Sequence, residues 1–253
     1  MQPFRLVFVT SLVPHAVAST GYEVANAAVI DGLRRAGAHV TVLGFTWPGH
    51  KAAESADTIV LGEVEVRTEG AGIKRKIGWV LKSFLTGLTV SSAKLRVIPA
   101  IELHNAITEL GDFDAYVLNG VTLPGAFEEI FKNKPSLFVA HNVEYRSAEE
   151  NAADAKGKVQ QFLFGREARI LKKLENRLCK QASFVFTFAE DDGPALGLCS
   201  EKFATLPLVM PGNAAATKAP SAKYEADLIA AWPGVNFVGK VPDATEFVES
   251  GKL

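Results

Sequence analysis

Cysteine is scarce in this chain. Cys179 and Cys199 are its only two among 253 residues, too few for a disulfide framework or a cysteine-rich zinc site. No stretch approaches the about 18 consecutive apolar residues that read as a membrane-spanning helix. An excess of either charge is also missing: the net charge is −1, which gives no general attraction to nucleic acid. Several motifs are absent. No G-x-G-x-x-G comes after the first apolar run, which argues against a dinucleotide oxidoreductase. There is no P-loop, and no G-x-S-x-G elbow of an α/β-hydrolase. The five histidines are scattered, with no H-E-x-x-H or comparable ligand spacing. Neither a metal nor a cofactor is therefore expected. What is present is an ordinary globular composition, 48% hydrophobic and 22% charged. The length suits one large domain, or one domain plus part of another.

The N-terminus offers two readings. Arg5, the apolar run Leu6-Val7-Phe8-Val9 and then Ala16-Val17-Ala18 resemble a weak signal peptide. The apolar run is short, however, and Thr10, Ser11, Pro14 and His15 break the hydrophobic character after Val9. A first buried strand over 4–9 fits better. After a loop over 11–19, Thr20-Gly21-Tyr22-Glu23 is a capping box. It opens a helix running to about residue 36, with Gly37 as its stop. A second strand comes next, over 39–44. This strand–loop–helix–strand unit has the size of a right-handed βαβ crossover. The alternation over 58–68 predicts an exposed strand. Helices are expected over 73–90, 94–110, 124–131, 159–180 and 190–198. Strands are expected over 115–118, 136–140, 183–188 and 203–208. Such βα repetition predicts a doubly wound, mostly parallel, Rossmann-like sheet with helices on both faces.

The most informative stretch comes after the apolar run Ser136-Leu137-Phe138-Val139. There Ala140-His141-Asn142-Val143-Glu144-Tyr145-Arg146 crowds polar and titratable groups at the carboxyl end of a buried strand, where open α/β sheets bind ligands. His141 is the candidate for a contact at the reacting centre, since imidazole handles a proton near neutral pH; otherwise it stabilises a turn. Asn142 belongs to the same group. Glu144 and Arg146 either bind substrate or pair with each other. Ser19, Thr20 and Gly21 present amides beyond a helix N-terminus, a seat for a phosphate or sugar oxygen, or they only cap the helix. Asn119, at another strand end, is a further candidate. Glu190 comes after the strand over 183–188, and either contributes to the cleft or caps a helix.

Residues 73–96 also leave two readings open. Ile73, Ile77, Val80, Leu81, Phe84 and Leu88 recur at helical spacing, flanked by Lys74, Arg75, Lys76 and Lys82 with Trp79 nearby; Lys94 and Arg96 extend the positive patch. The stripe either packs on the sheet or lies in a membrane interface.

From about Met210 the texture changes. Residues 210–223 read as a linker of small residues, Pro and Gly. Residues 224–253 predict two short helices and a short strand, too little to bury a core of their own.

Three of these segments together resemble a family. Ser19-Thr20-Gly21 before the first helix and Arg35-Ala36-Gly37-Ala38-His39-Val40-Thr41-Val42 after it are similar to the opening of a GT-B glycosyltransferase of the large retaining family 4. The His141-Asn142-Val143-Glu144 turn and the run from Leu174-Glu175-Asn176-Arg177 to Ala189-Glu190-Asp191-Asp192 add to the likeness, which covers residues 4–209. The resemblance implies that 1–209 is an acceptor-binding domain. It also implies that 224–253 is a remnant of a donor-binding domain whose Gly-rich loop and paired glutamates have no counterpart here. It implies retaining transfer of a sugar from a nucleotide-sugar donor to an acceptor hydroxyl, as in exopolysaccharide or lipid-linked glycan assembly. The donor would be gripped by a missing domain or a partner chain, and this chain by itself would be inactive. A cytoplasmic location is expected, with peripheral contact at the inner membrane face if 73–96 binds lipid and a glycolipid or sugar as acceptor. The alternatives are a non-catalytic Rossmann-like binding module and one subunit of a split glycosyltransferase.

Overall fold

A computed structural model describes residues 3–15, 20–53, 56–68 and 71–206. Ser19, the linker over 210–223 and the piece over 224–253 lie outside the described residues, so the two domain boundaries expected near the C-terminus do too.

The elements in chain order are β1 (Arg5–Leu12), α1 (Gly21–Arg35), β2 (His39–Thr46), β3 (Thr58–Glu63), α2 (Ile73–Thr86), α3 (Val90–Leu95), α4 (Ala100–Glu109), β4 (Ala115–Asn119), α5 (Thr122–Ala126), a 3-10 turn (Glu128–Lys132), β5 (Ser136–Ala140), α6 (Glu144–Asp154), α7 (Lys158–Gln181), β6 (Phe184–Thr187), α8 (Asp192–Ala195) and β7 (Phe203–Thr205). The seven strands form one sheet in the order β3-β2-β1-β4-β5-β6-β7, with parallel pairing throughout. This is a Rossmann-like α/β fold. The central strands are apolar on both faces, as burial on both sides demands. Leu6 and Phe8 face α1, which packs Val29, Ile30 and Leu33 against them and against Val40 and Val42. Val7, Val9, Tyr116 and Phe138 face the other way, under Leu95, Leu103, Leu123, Leu174 and Leu178 from α3, α4, α5 and α7. Phe8 and Phe138 are fully covered, and each such side chain contributes about 2–3 kcal/mol relative to exposure.

The capping box forms as the sequence predicts. The Glu23 amide donates to Thr20 Oγ1 at 3.2 Å, and the Thr20 amide donates to Glu23 Oε2 at 3.1 Å. Several boundaries differ from the sequence reading. β1 continues through Thr10 and Ser11 to Leu12, because Leu12 pairs with Phe45 across a register shift. β3 stops at Glu63 and is half-buried rather than exposed. The helix expected over 73–90 ends at Thr86, where Gly87 adopts φ +70°, a left-handed conformation that glycine enters without cost. A separate α3 then starts at Val90, its Ser92 amide capped by Thr89 Oγ1 at 3.0 Å. Pro99 sits just ahead of α4; its missing amide costs nothing there. The helix expected over 124–131 splits at Phe127 into α5 and the 3-10 turn. The helix expected over 190–198 shrinks to α8.

α6 has no counterpart in the sequence reading. It begins at Glu144 without a local cap. Its leading amides, Glu144 N and Tyr145 N, instead donate to the Glu175 carboxylate on α7 at 2.8 and 3.0 Å. Free amides at a helix start need partners, and here the partner is distant in the chain.

Candidate functional site

Parallel strands put every carboxyl end on one rim of the sheet. The order reverses between β1 and β4, so the crevice that binds ligands in such folds opens at their ends. Thr10 of β1 and Asn119 of β4 stand there, both fully buried. After Asn119 the chain turns through Gly120 at φ +73°, a conformation open to glycine.

A hydrogen-bonded chain of side chains crosses this point. Tyr22 OH lies 2.9 Å from Thr10 Oγ1. Asn26 Nδ2 donates to Thr10 Oγ1 at 3.1 Å, and Asn119 Nδ2 donates to Asn26 Oδ1 at 2.7 Å. A longer bond, 3.4 Å, runs from Asn119 Nδ2 to Thr10 Oγ1. The Asn119 oxygen then meets His141 Nε2 at 2.9 Å. With both Asn119 donors spent on Asn26 and Thr10, its oxygen accepts, so His141 carries its proton on Nε2. Nδ1 is left with a lone pair and no protein partner among the described residues.

Two aromatic rings hold the imidazole. Tyr22 stacks on it with centroids 5.0 Å apart and planes at 28°, while Phe188 meets it edge-on at 4.8 Å and 75°. Burial lowers its pKa from 6.5 to about 4, because the charged form loses hydration. At neutral pH His141 is therefore an uncharged ring whose Nδ1 accepts a hydrogen bond. It can accept a hydrogen bond from a hydroxyl, but burial leaves it too weak a base to take the proton near neutral pH. The expected proton-handling role is therefore corrected to a positioning one, and the ring offers no positive charge to an anion.

An acidic cluster gathers at the start of α6, where Glu144 and Asp192 both act on Glu175. The Glu144 carboxyl is half-buried and raised in pKa by burial. No side-chain hydrogen bond or ion pair engages it among the described residues. Glu175 is 1% exposed and is pushed up to about 7, chiefly by burial. The two α6 amides oppose that rise, and the charges of Glu144 and Asp192 reinforce it. The Cys179 thiol is pushed up to about 12 by burial and by Glu175, so it is an inert packing group.

The remaining candidates separate. Thr20 and Gly21 stand at the same rim, next in the chain to Tyr22, but the Thr20 hydroxyl and amide are spent on Glu23. Glu23 also holds His15 Nδ1 at 2.9 Å, and His15 Nε2 reaches Thr46 Oγ1 at 3.1 Å at the end of β2. The Thr20–Glu23 turn is thus braced as a structural cap, with Gly21 open on its outer side. Asn142 is exposed beside His141. Arg146 forms no ion pair with Glu144 among the described residues; its charge acts on Asp192 instead. Glu190 is exposed in the turn after β6.

Thr10, Tyr22, Asn26, Phe188 and Glu175 are site residues that the sequence pattern does not single out. One signal is present: Tyr22, Asn26, Val29 and Leu33 share one helical stripe, and a polar Asn on an otherwise apolar stripe needs a buried partner. Among the described residues no group of three or more His, Cys, Asp or Glu is arranged to hold a metal ion. Comparison of the chain with protein-family models and with curated proteins finds no match.

Proposed function

We propose that this chain binds the acceptor of a retaining sugar transfer, as the N-terminal domain of a GT-B type glycosyltransferase. The observation that carries this reading is the neutral His141, aligned by Asn119 and two aromatic rings, with Nδ1 open at the switch point of the sheet. A hydroxyl donating to Nδ1 is oriented for attack, and holding it there removes much of the entropy barrier to transfer. Asn142 and Glu144 take further hydroxyls, so a polyol fits this rim better than an anion. The resemblance in the residues around Gly21, His141 and Glu175 supports the same class. In this reading the nucleotide-sugar donor and its leaving diphosphate are handled by a second lobe or a partner chain. His141, being uncharged, contributes nothing to neutralising the diphosphate.

Ligand-observed NMR of the chain with a panel of mono- and oligosaccharides tests this. At least one sugar should bind, and His141→Ala and Glu144→Ala should each weaken it by about tenfold, the worth of one hydrogen bond to an oriented group. Binding indifferent to both substitutions, or no sugar bound at all, rejects the proposal.

A further inference from the structure

Helix α2 is built inside out. At about 100° per residue, Ile73, Ile77, Leu81, Phe84 and Leu85 fall within one arc of about 120° on its surface. That arc faces away from the protein: Ile73 is 74% exposed, Ile77 61%, Leu81 58% and Leu85 79%. The inward side is polar. Ser83 is fully buried, and its hydroxyl donates to the Leu88 carbonyl at 2.7 Å. Arg166 from α7 donates to Ser83 Oγ and to the Ser83 carbonyl, both at 2.8 Å. Lys94 Nζ lies 4.3 Å from the Trp79 ring centroid. A helix packed on a sheet by its apolar stripe shows the reverse arrangement. The alternative in which the stripe packs on the sheet therefore fails for most of its members; only Val80 and Leu88 turn inward, half-buried.

The apolar surface continues onto the first turns of α7. Phe84 stacks with Phe162 at 6.3 Å between centroids, and Val159 beside it is 73% exposed. Contiguous apolar surface of this kind marks a docking site. Charge narrows the choice of what docks. Residues 71–98 contain six Lys or Arg and no Asp or Glu. Lys74, Arg75 and, on α7, Lys158 are exposed, and none has an ion-pair partner among the described residues. Two copies of this chain meeting through the patch would bring these cations together, which is unfavourable. A surface of anionic headgroups over acyl chains complements both the apolar row and its charges.

We infer that the outer face of α2, with the start of α7, docks in the plane of an anionic lipid bilayer. The apolar row enters the acyl boundary, and Lys74, Arg75 and Lys158 meet lipid phosphates. This is peripheral contact, since no helix among the described residues is long and apolar enough to cross a membrane. The anchoring of this region points to a purpose. Ser92 Oγ of α3 donates to the Thr122 carbonyl at 2.9 Å, just beyond Asn119 and Gly120. Docking through α2 would hold a helix tied to the segment after β4 at the membrane surface, within reach of an acceptor sugar carried on a lipid. That consequence rests on the proposed acceptor role; the docking itself does not.

Vesicle flotation of the full chain provides the test. With phosphatidylcholine vesicles containing about a third phosphatidylglycerol, the chain should float, and the bound fraction should fall as salt is added. Phosphatidylcholine alone should bind it far less. Two variants change only exposed side chains: Ile77→Ser with Leu81→Ser and Leu85→Ser, and Lys74→Glu with Arg75→Glu. Each should lower partitioning on the order of tenfold or more while leaving the melting curve in place. Failure of the unaltered chain to float with the anionic vesicles overturns the inference. So does flotation of both variants to the same extent as the unaltered chain. A dimer in sedimentation that the Ser variant dissolves, without vesicle binding, overturns it in favour of a second copy. Sugar binding measured without lipid is unaffected by any of these results, so the two readings fail separately.

Discussion

Tyr22 stacks on His141 while its hydroxyl bonds Thr10, so one phenol ties the first helix to the ends of β1 and β5. The stack covers one face of the imidazole and helps exclude water from it. Gly21 and His141 therefore lie on the same rim, which an antiparallel or differently ordered sheet would not have produced.

The hydrogen-bond chain specifies a tautomer. Nitrogen-detected NMR should find His141 protonated at Nε2 and free at Nδ1 at pH 7, with titration delayed until pH about 4. Asn119→Ala removes the acceptor and should abolish that preference. A His141 that titrates near 6.5 with mixed tautomers would contradict the assignment.

Asn26 joins Asn119 to Thr10 from inside the helix. Asn26→Leu keeps the branched outline, with bulkier methyl groups, but strands the Asn119 amide donor in the core. It should destabilise the fold by about 1–3 kcal/mol, read as a shift in the denaturation midpoint at unchanged slope.

His141 and Glu175 drive opposite pH dependences. The folded His141 pKa, about 4, lies below its ordinary 6.5. The unfolded chain therefore takes up the proton first as pH falls, and this residue's contribution is lost between about 6.5 and 4. Glu175 keeps its proton up to about pH 7 in the fold, against an ordinary 4.5. Its contribution is therefore present at low pH and is lost as pH rises through that window. Each effect is of the order of 3 kcal/mol, and together they nearly cancel. The unaltered protein should show a flat stability profile between pH 4.5 and 6.5 from these two groups. Glu175→Gln should leave stability rising with pH, and His141→Gln should leave it falling. Denaturant titrations across that range measure both slopes.

Gly44 on β2 lies against β1: a Cβ there would stand 2.3 Å from the Thr10 carbonyl oxygen. Gly44→Ala should push the strands apart at the centre of the network and cost about 1–3 kcal/mol or more. Gly21 meets nothing within 4 Å, so Gly21→Ala should change stability by less than about 0.5 kcal/mol. Thermal melts of the two variants make the comparison.

Much of the scaffold was legible. Apolar runs as short as 136–140, bounded by polar turns, read as strands buried on both faces, and helices between them leave a parallel sheet as the simplest solution. The capping box at Thr20 was equally plain, because both of its partners lie within four residues. Gly87 and Pro99 were readable breaks that helical periodicity overrode. α6 was not readable, because its start depends on Glu175, which reaches it from 30 and 31 residues away.

His141 and Asn119 were recognisable as strand-end groups from local pattern alone. That they bond each other, that Asn26 and Thr10 continue the chain, and that His141 is uncharged all depend on contacts between distant segments. Burial and hydrogen bonding set the protonation of a ring, and neither exists until the sheet is assembled. The outward turn of the α2 apolar row has the same origin. Periodicity shows that a helix has an apolar side; only packing, here the claim of Arg166 on Ser83, decides which side faces the protein.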